Sequence, residues 1–202
     1  MSSTITTELV KELRDATGIS VMQCRKALEE ANGDMKTAMA ILKKNSSSIA
    51  AKKVDREAKD GAVMIASNNS KSIIVPLNCE TDFVSRNEDF TNLLSTLGQK
   101  AITDGVEAMK AGAKEMIDPI IQKTGENIQL GEVTEVNGEV LGNYVHNNKT
   151  AVVVSLEGGD KDLARDIAMH ITAMKPEYMH DGEVDEEARK MMTEIFTKEV
   201  AS

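Results

Sequence analysis

The spacing of apolar residues changes once along this 202-residue chain, and that change limits the fold class. Over the first 44 residues, apolar side chains recur at helical spacing, as at Ile5, Leu9 and Leu13. Further along, short β-branched runs such as residues 63–65 alternate with more helical segments. A helical part followed by mixed strands and helices predicts an α+β fold.

Residues 1–45 are predicted to form a small three-helix bundle. Gly18 stands where a left-handed C-cap would end the first helix. Ser20 with Gln23 forms a capping-box pattern for the second helix, and Asp34 is the expected N-cap of the third. A bundle of this size is only marginally stable alone, so we expect it to dock on another surface.

The remainder of the chain is predicted to divide into a linker, two subdomains and a tail. Asn45 is followed by three serines and then by many charged residues, which predicts a linker over residues 46–60 containing a solvated charged helix. Residues 61–137 are the expected first subdomain and residues 138–180 the second. Residues 181–202 are predicted to be an acidic helical tail.

The strands of the two subdomains are expected to be antiparallel and to continue one sheet. Asn68-Asn69 is the predicted turn of a β-hairpin that opens the sheet. Pro76 cannot donate a ladder hydrogen bond, which predicts that the second hairpin strand lies at a sheet edge or ends irregularly. Further strands are predicted near residues 140–146 and 151–156.

Charge and composition argue against several classes of partner. The net charge of −9 disfavours direct nucleic-acid binding, because phosphates attract a basic surface. No basic and apolar leader opens the chain, and no run approaches the length of a membrane span. Cys24 and Cys79 are too few for a disulfide framework. These features predict a cytoplasmic protein with two reduced thiols and no membrane partner.

Catalytic and ligand-binding motifs are missing from the sequence. There is no phosphate-binding P-loop motif, and the three histidines stand without partners at metal-ligand spacing. Cys24 precedes Arg25 and Lys26, which could activate a thiol, but no base or orienting group accompanies it. We therefore predict no catalytic residue, no metal, no cofactor and no enzyme activity.

Three segments in order resemble the elongation factor Ts family. The first is KELRDATG at residues 11–18, which continues through CRKAL and ANGD. The second is NCETDFV at residues 78–84. The third pairs GENI at residues 125–128 with IAMHI at residues 167–171. A single tetrapeptide would occur by chance in many proteins, whereas three ordered motifs make the resemblance specific.

The resemblance implies a ubiquitin-associated-like head, a linker and a core of two subdomains. It also implies a function, which is to bind the GTPase elongation factor Tu and promote GDP release during protein synthesis. Family members of the usual length continue further, so the second subdomain is expected to be incomplete here. Its strands would then have an exposed edge, and homodimerisation stays open.

The resemblance also implies a binding site. Thr81, Asp82, Phe83 and Val84 match the family's TDFV corner, which lies near the magnesium and phosphate site of the partner. Without the resemblance, Phe83 would be interpreted as a core aromatic residue. Val21 and Met22 match partner-contacting positions in the head, and packing between helices is the alternative for Met22.

Two other function classes remain as alternatives. A plain interaction module would bind ubiquitin-like or ribosome-associated partners through residues 1–44 alone and would be indifferent to residues 81–84. A thiol enzyme would depend on Cys24 or Cys79.

Overall fold

The computed structural model describes residues 5–200, and the fold is α+β. The helices are α1 (Thr7–Thr17), α2 (Val21–Glu30), α3 (Met35–Ala51), α4 (Asp82–Ser85), α5 (Glu88–Thr103), α6 (Val106–Thr124), α7 (Lys161–Met174) and α8 (Glu186–Val200). The strands are β1 (Asp60–Ser67), β2 (Lys71–Cys79), β3 (Gln129–Leu130), β4 (Thr134–Asn137), β5 (Val140–His146) and β6 (Thr150–Leu156). A 3₁₀ turn, Asp181–Glu183, precedes α8.

Helices α1 to α3 form the predicted three-helix head, whose caps are those expected. Gly18 ends α1 with φ of +69°, and Ser20 Oγ accepts a hydrogen bond from Gln23 N. The side chain of Asp34 caps α3 by accepting from Thr37 N. The head has its own apolar cluster, built around the buried residues Val10, Leu13, Cys24, Leu28 and Leu42.

The predicted linker over residues 46–60 is wrong in its first part. Helix α3 continues through the serines as far as Ala51, and the charged residues after it form turns rather than a helix. Ser46 is buried, and its hydroxyl donates to the carbonyl of Lys43 within the helix. Because α3 packs along α6, tertiary contacts override the weak helix propensity of serine.

The hairpin of β1 and β2 is confirmed, but β2 lies in the centre of the sheet rather than at an edge. It pairs with β1 on one side and with β4 and β3 on the other. Pro76 falls between residues 71–74, which pair with β4, and residues 77–78, which pair with β3. Neither β3 nor β4 pairs with Pro76 itself, so the sheet tolerates the missing donor.

Strands β5 and β6 form a separate two-stranded antiparallel sheet, so the expected continuation of the first sheet is wrong. This hairpin packs between the first sheet and α7. Gly142 allows the close approach, because a methyl group there would overlap the backbone of Ala164 in α7. The turn of the hairpin also covers the edge of β1, where Val63 N donates to Asn148 O at 2.8 Å.

The main apolar core lies between the first sheet and helices α5 and α6. Its largest buried side chains include Phe90, Ile73, Leu77, Leu97 and Met109. Within the predicted acidic tail, residues Glu186–Val200 form helix α8, none of whose residues is buried, and residues 201–202 lie outside the described part of the chain. Within residues 5–200, no helix combines the length and apolar character that crossing a membrane requires.

Candidate functional site

The corner formed by residues 81–84 joins the central strand β2 to the helices that cover it. Strand β2 ends at Cys79 and the single turn of α4 begins at Asp82. Val84 is buried in the main core, whereas the Phe83 ring is 84% exposed. One side chain therefore anchors the corner, and its neighbour is presented to solvent.

Glu126 holds the base of this corner from the loop that follows α6. Its Oε2 accepts hydrogen bonds from the backbone nitrogens of Glu80 and Thr81, both at 3.0 Å. Its Oε1 accepts from the Thr81 hydroxyl at 2.6 Å. Thr81 therefore turns its hydroxyl toward Glu126 and makes no side-chain cap for α4. A carboxylate that accepts three bonds fixes the direction in which the corner points.

A reciprocal set of hydrogen bonds ties the same loop back to the corner. Glu80 Oε1 accepts from Asn127 N at 2.7 Å, and this bond, helped by Arg56, lowers the pKa of the Glu80 carboxyl. The side-chain amide of Asn127 is buried and donates to the carbonyl oxygens of Val54 and Arg56. The segment after α3 thus braces the loop from behind.

The carboxylate of Asp82 remains accessible beside the ring. It pairs with Arg86 one turn later at 3.1 Å, and both side chains are well exposed. An exposed pair of this kind is weak, so Asp82 can exchange Arg86 for another donor at little cost.

The two thiols are buried and poorly suited to chemistry. Burial is the main cause that raises the pKa of the Cys79 thiol to about 11, and the carboxylates of Asp60 and Glu126 add to it. Burial also raises the pKa of Cys24. Among the residues that the structure describes, no three His, Cys, Asp or Glu side chains gather as a metal site would require.

The head presents a second apolar surface at the start of α2. Met22 is 78% exposed and Val21 is also exposed, whereas Cys24, Ala27 and Leu28 on the same helix are buried. Met22 is therefore not a packing residue of the head. Whether Val21 and Met22 contact a partner stays a prediction.

Sequence patterns alone gave no role to Glu126 or Asn127. Both belong to a motif of the family resemblance, but a Glu after a helix-ending glycine is ordinary in any protein. The pairing of this loop with the corner spans 45 to 47 residues of sequence, so no local pattern indicates it.

An exposed aromatic ring on a braced corner, together with an exposed apolar start of α2, is typical of the class of proteins that dock on another protein. The comparisons with known sequences then give the family. The profile of the family described as "Elongation factor TS" matches residues 80–202.

Curated relatives agree with this family assignment. Elongation factor Ts of Hahella chejuensis is 40% identical over 199 residues, which cover 95% of this chain and 70% of the relative. That of Cellvibrio japonicus is 46% identical over 183 residues, covering 87% and 63%. That of Pseudomonas aeruginosa is 38% identical over 198 residues, covering 95% and 68%. The chain belongs to the elongation factor Ts family, and it spans 63 to 70% of the length of these relatives.

Proposed function

We propose that this chain is a guanine nucleotide exchange factor of the cytoplasm. It binds elongation factor Tu in the GDP-bound state, disturbs the Mg²⁺ and phosphate site, and promotes GDP release so that GTP can rebind. The observation that carries the proposal is the exposure of Phe83 on a corner held rigidly from below. Membership of the elongation factor Ts family supports it.

Phe83 has the physical properties that such a function needs. A GTPase holds GDP largely through its phosphates and Mg²⁺, so release requires a displacement near them. Burial of a phenylalanine ring in the partner contributes about 2 to 3 kcal/mol, which can offset that displacement. Asp82 beside it supplies a carboxylate that can accept hydrogen bonds from the partner, and Thr81 and Val84 keep the corner in place.

Nucleotide exchange by this route is a linkage effect. If the factor weakens GDP binding by a given ratio, GDP weakens binding of the factor by the same ratio. GTP uses the same Mg²⁺ and phosphate site, so its binding weakens the factor in the same way and releases it. No bond is made or broken by this chain.

The head is proposed to be ubiquitin-associated-like and to rest on the nucleotide-binding domain of the same partner. Val21 and Met22 are the proposed contacts, because they are exposed apolar residues at the start of α2. Two contact regions on one chain increase affinity when both can engage together.

The test is the release of a fluorescent GDP analogue preloaded on elongation factor Tu. The unaltered chain should accelerate release strongly. Phe83→Ala should lower the effect by about 30-fold or more, because about 2 kcal/mol corresponds to that ratio. Its free energy of unfolding should change little, since the ring is exposed. Adding Asp82→Ala to Phe83→Ala should lower the acceleration of GDP release further.

Met179→Ala is the matched control, because Met179 is equally exposed at 84% but lies outside the corner. With this variant, elongation factor Tu should release GDP as fast as with the unaltered chain. No acceleration by the unaltered chain would end the proposal. Binding by residues 1–44 alone, with the corner indifferent, would favour the plain interaction module instead.

A further inference from the structure

The last turn of α6 connects the head to the corner through two adjacent side chains. Gln122 is only 3% exposed although it is polar. Its amide nitrogen donates to Oε1 of Gln23 at 3.0 Å, and Gln23 follows Met22 in α2. A buried amide that finds its partner in another module ties the two together.

Lys123 makes a second connection at the turn between α1 and α2. Its ammonium group pairs with Asp89 at the start of α5 at 2.6 Å, and both side chains are about one third exposed. Its aliphatic part passes directly over Gly18, where a methyl group would overlap Cε of the lysine. Gly18 thus serves both the left-handed cap and the passage of Lys123.

The same end of α6 also leads into the loop that holds the corner. Gly125 ends the helix, and Glu126 then binds Thr81 and the backbone before it. Within the five residues 122–126, the chain therefore contacts the start of α2, the start of α5 and the corner. Packing of α3 along α6 sets the position of the third head helix, whereas Gln122 and Lys123 contact the α1–α2 turn and the first turn of α2, which contains Val21 and Met22.

We propose that Gln122 and Lys123 are positioning residues that hold the head and the corner as one composite docking surface. The inference rests on the proposed function, because the surface is for the partner GTPase. Once the corner has bound, a head already held in place engages at a high effective concentration. A head whose α1–α2 end could move relative to α6 would have to be positioned during binding, which weakens the complex.

The first measurement needs no partner. In the free chain of 202 residues, backbone order parameters from ¹⁵N relaxation should be about 0.85 for residues 18–23, as in rigid structure. In the double variant Gln122→Ala with Lys123→Met they should fall below that value, because the α1–α2 end of the head then moves relative to α6. Lys110→Met is the matched control, because Lys110 lies on the same helix and pairs only with Glu107 among the ion pairs of the described residues.

The second measurement separates affinity from the exchange step. The concentration of the double variant that gives half-maximal GDP release should rise about three- to tenfold, while the rate at saturation stays unchanged because the corner is intact. Phe83→Ala should instead lower the rate at saturation. A smaller folded fraction would raise the half-maximal concentration in the same way, so the folded fraction of the double variant is measured by circular dichroism and the concentrations are corrected for it before the comparison.

Several outcomes would overturn the inference. Order parameters that are already low in the unaltered chain, or unchanged in the double variant, would show that the two residues do not hold the head. If the order parameters fall but the concentration for half-maximal GDP release does not change, the head and the corner do not act as one composite docking surface. If the unaltered chain does not accelerate GDP release, the proposed function fails and the docking role with it, while the order parameters still decide whether the head is held.

Discussion

Phe83 and Phe90 have the same side chain and opposite environments. Phe90 is fully buried in the main core, whereas Phe83, seven residues earlier, faces solvent. Between them the chain makes one turn of helix and a cap at Asn87, whose side chain accepts from Asp89 N. The exposed Phe83 ring adds no apolar burial to the core, although the chain has only three phenylalanines. This indicates that the ring serves in binding rather than in folding.

Glu126 is the residue whose loss should most disturb the corner. Glu126→Ala leaves two backbone N–H groups and the Thr81 hydroxyl without their acceptor. We expect a loss of about 2 kcal/mol in the free energy of unfolding, together with slower GDP release. Urea unfolding and the GDP-release assay measure the two effects.

Glu126→Gln provides the control for that prediction. The amide oxygen can replace Oε2 as acceptor, and the amide nitrogen can donate to Thr81 Oγ1 if the hydroxyl rotates. The loss should then be about 1 kcal/mol or less. If the alanine and glutamine variants behaved alike, the hydrogen-bonding role of Glu126 would be refuted.

At the scale of elements, most helices and strands follow from sequence because their apolar spacing and caps agree. The β1–β2 hairpin and the caps at Ser20 and Asp34 are examples. The errors occur where tertiary contacts oppose a local preference. The serines of α3 favour a linker, but α3 stays helical because it packs against α6. Pro76 favours a sheet edge, but it lies between the part of β2 that pairs with β4 and the part that pairs with β3.

The candidate site is also predictable from sequence only in part. The resemblance indicated residues 81–84, and the structure shows that Phe83 is exposed while Val84 is buried. The brace around them was not predictable, because Glu126 and Asn127 reach the corner from a distant part of the sequence. Partner binding by residues 81–84 stays a prediction.

The β5–β6 turn is fastened to β1 by an ion pair whose effect should depend on pH. Lys149 Nζ donates to Asp60 Oδ1 at 2.6 Å and to Gly61 O at 2.7 Å. The hydrogen bond from Lys149 is the main cause that lowers the pKa of Asp60 from 3.8 to about 2. The stabilisation is therefore complete above pH 4 and is lost as the pH falls toward 2.

Lys149→Met should remove most of this pH dependence, because Lys149 is the largest cause of the lowered pKa of Asp60, and Ser85 and Gly61 N contribute the rest. Because the pair is partly exposed, we expect a deficit of about 1 kcal/mol in the free energy of unfolding at pH 5. The deficit should shrink as the pH falls from 4 to 2, and urea unfolding across this range measures it. A deficit that stays constant with pH would show that Asp60 is not the group involved. Lys110→Met, which removes a surface pair within α6, is the control.

Over the whole molecule, apolar burial is distributed unevenly. The head and the main core each enclose a cluster of buried residues, and α6 contacts both parts. Helix α8 contributes to neither cluster, and its apolar residues Met191, Met192, Ile195 and Phe196 are exposed. Local stability follows such burial, because a segment with few buried contacts opens without disturbing the rest.

This distribution predicts a gradient of amide hydrogen exchange along the chain. An isolated helix of 15 residues is marginal in water, so the amides of α8 should exchange at nearly unfolded rates at micromolar concentration. Those of β2, paired on both sides at the centre of the first sheet, should exchange only on global unfolding. Helix α7, which packs on the second sheet, is the internal comparison. Protection in α8 equal to that in α7 would mean that its apolar face is covered in solution, and protection that grows with concentration would identify a second copy as the cover.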